Sequence, residues 1–167
     1  MANNTKTNHE IIRVAGRLRE VVTVHDAEGK LIHKMISPLM VEFHAHDLVQ
    51  VMVGASILAI PVGFTEEVWQ MGNVLPYSRV FGIALLSIFF ISAFVYYNSY
   101  QNHIREHWDE FLKRVLTTYI LSLLIVALIL TLVQVAPWQA DFAVAMKRVI
   151  LVAFQASMSA AIADMLK

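Results

Sequence analysis

No cysteine occurs among the 167 residues, which excludes disulfides, zinc–thiolate centres and thiol catalysis. Charge is scarce too: 16% of the residues are charged, against ~25% in an ordinary soluble domain. Neither sign is in excess, with 13 basic and 13 acidic residues. That balance removes the electrostatic footprint of a nucleic-acid binder and leaves no acidic tail. The first ten residues, MANNTKTNHE, lack the apolar core of a signal peptide, so the first membrane helix is expected to act as its own insertion signal. There is no glycine-rich phosphate loop. The apolar runs contain no histidine, which argues against a haem held between paired histidines within the membrane.

What remains is apolar. Hydrophobic residues make up 57% of the chain. A small soluble domain needs charge across its large surface, so lipid is the natural solvent here. The sequence predicts an all-α membrane protein with four transmembrane helices and a small N-terminal cytoplasmic β-hairpin. Residues 1–36 form the N-terminal segment and 37–167 the membrane domain. Its spans fall at about 45–63, 80–100, 115–136 and 148–164, each near the ~20 apolar residues that cross a bilayer. The hairpin pairs Val21–His25 with Leu31–Met35 about the turn Asp26-Ala27-Glu28-Gly29. Ser37-Pro38 has the form of a helix start, with serine as cap and proline in the first turn. Pro61 should kink or end the first span. In the fourth, Lys147 and Arg148 are expected to snorkel to the headgroups. Small residues at Ala153, Ser157 and Ala161, and at Ala156 and Ala160, let that helix approach its neighbours closely. Gln155 should find a partner across helices.

Lysine and arginine set the orientation. Ten of the 13 lie in the segments that share a side with the N-terminus, leaving Arg79, Lys147 and Arg148 on the other. Both termini are thus expected in the cytoplasm of a cell with an inner membrane. Trp69, Tyr77 and Trp138 fall at the outer interface, and Tyr96, Tyr97, Tyr100 and Trp108 at the inner one.

Two places draw attention for chemistry. At the outer end of the first span, Pro61, Gly63 and Thr65 lead to the adjacent acids Glu66 and Glu67. In one subunit these are solvated acids, or charges at the start of a short helix. Around a symmetry axis they become a ring that selects cations, and carbonyls freed by Pro61 could add oxygen ligands for calcium or sodium. On the inner side lie His44, His46 and, in the pattern H-x-x-E-H, His103, Glu106 and His107. The pattern matches a metalloprotease helix, yet no third ligand follows, so no enzyme is inferred. The dull reading is a polar cuff at the headgroups. The sharper one is a pH or metal site. Asp164 reads as an end charge of the fourth span or as an acid at the inner mouth.

The run GASILAIPVGFTEEVWQMG carries a resemblance. Pro61, Thr65, Glu67, Trp69 and Gly72 are similar to the signature of DUF2391, a family of bacterial integral membrane proteins. Glu66 stands where that signature has a hydrophobic residue, often methionine, so any carry-over concerns Glu67 first. The resemblance implies a multi-span membrane protein and brings no activity with it.

Four short spans leave little room for a private path, so a homo-oligomer in the lipid bilayer is expected, with the path on its axis. The leading expectation is a cation-conducting channel or transport protein with an acidic outer mouth. It needs no cofactor beyond a bound cation. The alternative is a non-conducting scaffold or sensor of pH or metal that acts through a partner.

Overall fold

The computed structural model describes residues 6–14, 17–25, 30–38, 45–101, 104 and 107–166. The chain divides into two compact units, 1–42 and 43–167.

The N-terminal unit is a sheet in the order β1-β2-β3, with β1 Lys6–Val14, β2 Arg17–His25 and β3 Leu31–Pro38, all antiparallel. The hairpin expected from β-branched runs is β2 with β3. It gains a third strand, because Lys6–Val14 pairs with β2 along its whole length, from Lys6 opposite His25 to Val14 opposite Arg17. The polarity of 1–10 hid that strand. A two-residue connection ending in Gly16 is the signal for it. β3 also takes in Ser37 and Pro38, which pair with Glu20 and Arg19. These residues therefore end a strand and do not start a helix. Proline is tolerated there because β3 is at the sheet edge.

The second unit is helical. Its elements are α1 Ala45–Gly63, α2 Glu66–Val74, α3 Tyr77–Val95, α4 Trp108–Leu132 and α5 Phe142–Met165. A π-helical turn, Tyr96–Tyr100, continues α3. Among the described residues four helices are long and apolar enough to cross a membrane: α1, α3 with its π turn, α4 and α5. The short α2 lies between the first two.

α5 is the axis of this unit and packs against α1, α2, α3 and α4. Small residues allow it. Ala153, Ala156, Ser157, Ala160 and Ala161 are all buried. Opposite them on α1 are Val51, Ala55 and Ala59, and on α4 Val126 and Leu130. The closest crossing is at Gly54. A methyl group there would collide with Ala163 Cβ and come within 2.9 Å of the Ala160 backbone. In lipid, where the apolar effect does not drive helices together, such close backbone contact is what does.

The helix ends follow local rules. α1 runs through Pro61 and stops two residues later at Gly63, so the expected break falls just beyond the proline. A proline in a last turn leaves few carbonyls behind it to lose. α4 ends in a left-handed turn at Gln134, φ 62°. The Gln134 amide donates to Thr131 O and the Val135 amide to Leu130 O, each at 3.0 Å, the pairing of a Schellman cap. α5 opens on Asp141, whose carboxylate accepts from the Val144 amide at 3.0 Å.

Candidate functional site: a four-helix polar cluster

Call the base of the bundle the end where α1 begins and α5 finishes; the head is the end that carries α2. At the base, each of the four spans brings one polar side chain to the same buried point. Arg114, from the second turn of α4, is fully buried. Its Nε lies 2.8 Å from Asp164 Oδ2 on α5, and a terminal nitrogen lies 3.5 Å from Asp47 Oδ2 on α1. Both aspartates are 1% exposed. Tyr100, completely buried at the end of the π turn, has its hydroxyl in hydrogen-bond contact with Arg114. Phe111 closes over it, with ring centroids 5.3 Å apart. Arginine suits the point because its planar fork can meet several acceptors at once.

Local structure explains the placement. The π turn inserts one residue's worth of extra rotation at the end of α3, and such turns occur often at functional sites. It turns Tyr100 inward, so this tyrosine is not an interface aromatic as its position in the sequence suggests. On α4, four-residue spacing carries one inward column: Arg114, Thr118, Ser122, Val126 and Leu130, all buried. The first three are polar and the last two apolar. Ser122 Oγ donates to Thr118 O at 2.7 Å. Thr118 Oγ1 is buried without a hydrogen-bond partner among the described residues. At a similar depth, Ser87 of α3 and Ser157 of α5 share a hydrogen bond of 2.7 Å. The inward column of α4 is thus polar toward the base and apolar toward the head.

The head holds the residues singled out at the end of the first span. Pro61, Thr65, Glu66 and Glu67 are exposed and Gly63 is buried. Glu66 and Glu67 form the first turn of α2, a favourable place for negative charge. Glu66 accepts from Gln70 Nε2 at 3.1 Å. Thr65 precedes the helix, and its hydroxyl turns back to Val62 O at 2.6 Å. The rest of the signature is a knot. Trp69 donates from Nε1 to Gly63 O at 2.8 Å, closing the end of α1. Arg148 of α5 donates to Trp69 O at 3.2 Å, to Val135 O after α4, and to Asn73 Oδ1 at 3.2 Å. Gly72 makes room for it: a Cβ there would lie 2.5 Å from Arg148 Cγ. Arg148 therefore does not snorkel. It binds three segments together, while Lys147 Nζ sits 4.5 Å from the Tyr77 ring centroid.

Of the inner histidines, His46 is exposed, and His107 is half-buried as the residue before α4. His44, His103 and Glu106 lie outside the described residues. Among the described residues no three histidine, aspartate or glutamate side chains are grouped to hold a metal. Gln155, expected to bond across helices, points outward from α5.

The cluster is not legible in the local sequence, where Arg114 counts only among the charges that set the orientation and Asp164 reads as an end charge or an acid at the inner mouth. One signal was available. Asp47, Arg114 and Asp164 each stand within two turns of the same end of a span, and Arg114, Thr118 and Ser122 share a helix face. A family model for integral membrane proteins matches residues 17–166. No curated protein and no solved structure matches the chain.

Proposed function

Because the chain belongs to the DUF2391 family of integral membrane proteins, and its four spans meet in buried charge, we propose that it is an ion-transport protein of a bacterial inner membrane, with the base facing the cytoplasm. The observation that carries this reading is the meeting of Asp47, Tyr100, Arg114 and Asp164, one from each span. Ionisable groups inside a bilayer are costly, and they are characteristic of ion pathways and proton relays. The polar column above them, Thr118 and Ser122 with the Ser87–Ser157 pair, extends polarity into the bundle and supports the same reading. Glu66 and Glu67, exposed at the head, are the acids that would concentrate a cation at the outer mouth. The ion is a cation such as sodium, calcium or a proton, and no residue is assigned a catalytic role.

A second reading has an observation of its own. Val126 and Leu130 are fully buried against α1 and α5, so the head half of the interior is closed. A non-conducting scaffold or sensor that answers pH or metal through a partner would be built in that way.

Flux into liposomes of purified protein separates the two. Wild type should carry at least one cation, the Glu66→Gln/Glu67→Gln variant should lose flux or selectivity, and Asp164→Asn should lose flux. Absence of flux in wild type under every cation and pH tried would falsify the transport reading in favour of the sensor.

A further inference from the structure

The outward face of α5 carries one residue that a lipid environment does not suit. Gln155 is exposed, and it stands about 15–20 Å from either end of its helix at ~1.5 Å per residue. Its amide has no hydrogen-bond partner among the described residues. Other polar side chains in the spans resolve this problem locally. Ser56, Ser92, Ser122 and Thr131 return a hydrogen bond to the carbonyl one turn back. A primary amide has two donors and an acceptor and cannot satisfy them in that way. Lipid tails offer it nothing, so a glutamine on a lipid-facing surface draws helices together.

We propose that Gln155 is the centre of a self-association surface, and that its occupant is the Gln155 amide of a second copy of this chain. Depth and chemistry select that occupant. Copies inserted in the same orientation hold Gln155 at the same level, and a two-fold axis normal to the membrane brings the two amides face to face. An amide is self-complementary: each N–H can donate to the other's carbonyl oxygen, closing a reciprocal pair. The adjoining surface admits a close helix. One turn on is Ser159, half-buried, and two turns on is Ile162, 49% exposed. Apart from Phe142 at its start, the rest of α5 is buried or partly buried against its own bundle, which leaves this strip to meet a neighbour at mid-depth. The inference goes beyond ion transport and holds whether or not the protein conducts.

The absence of cysteine makes the test direct. Ser159→Cys, one turn from Gln155 on the same strip, keeps the amide and supplies a single thiol in the full chain, and Leu128→Cys, on an exposed position of α4, supplies a control. In liposomes and in native membranes, mild copper–phenanthroline oxidation should link Ser159→Cys into dimers and leave Leu128→Cys monomeric. Separately, fluorescently labelled wild type should pair in liposomes, and Gln155→Leu should need about tenfold more protein per lipid to pair equally. The substitution is on the lipid-facing surface, so the fold should tolerate it, which an unchanged helical spectrum checks. Three results would overturn the proposal: equal cross-linking at both thiols, pairing unchanged by Gln155→Leu, or cross-linking of Ser159→Cys in native membranes to a chain of different mass. Flux is not read in any arm, so failure here leaves the transport reading standing, and failure of transport leaves this one.

Discussion

Arg114 is the residue on which most of this molecule turns. It is a full charge at zero exposure, and it reaches carboxylates from the first and last helices. A buried ion pair adds little net stability over well-packed apolar side chains, but breaking one leaves an uncompensated charge. Arg114→Gln should therefore lower unfolding stability by about 3–5 kcal/mol, read by denaturant titration in mild detergent. Arg114→Lys should recover only part of that loss, because an ammonium cannot span two acceptors with a planar fork. Equal stability of wild type and Arg114→Gln would show that the cluster does not hold the helices.

At the scale of elements, the head is tied together through backbone carbonyls. Trp69 bonds the last residue of α1, and Arg148 bonds the backbone of α2 and the segment after α4. The signature of proline, threonine, acid, tryptophan and glycine is thereby given a physical account at three of its positions. Tryptophan closes a helix end, glycine clears space for an arginine, and threonine caps back on the turn before it. The acid at Glu67 makes none of these contacts and stays exposed, which leaves it available to an ion. Trp69→Phe keeps the ring and loses the donor, so it should cost about 1 kcal/mol, measured as a lower midpoint in the same titration. Arg148→Met should cost more, since three acceptors lose a donor together. A smaller loss for Arg148→Met than for Trp69→Phe would mean that the arginine is a bystander.

For the whole molecule, head and base are predicted to be separable. Glu66→Gln/Glu67→Gln alters two exposed side chains, so its stability should stay within about 0.5 kcal/mol of wild type even as cation flux falls. A variant that unfolds as readily as it loses flux would place the acids in the fold rather than in the path. How much of this was legible in the sequence has one cause. Hydropathy is local, and it located four spans from runs of apolar residues. The helices that carry spans three and four begin earlier than the apolar runs, at Trp108 and Phe142 against about 115 and 148. In both cases charge marks the start of the apolar run, Arg114 in one and Lys147 and Arg148 in the other, and the helix takes that charge in. The two arginines are admissible because their partners lie far away in the chain: Asp47 and Asp164 for one, Trp69, Asn73 and Val135 for the other. The same fact hid the cluster. A residue whose solvent is another helix looks, in one dimension, like a residue whose solvent is water. The third strand was hidden differently, since Lys6–Val14 is polar in composition and becomes a strand through its partner β2.

The span from Trp108 to Leu132 emerges from the ribosome with Arg114 already in it, and one of the two acids that arginine binds is still unmade. Asp47 has been inserted by then, but Asp164 arrives only with the fourth span. The third membrane helix must therefore wait, incompletely neutralised, for the fourth. A chain truncated before Asp164 would leave Arg114 without that carboxylate. The buried cluster is complete only once the fourth span has joined the first and third.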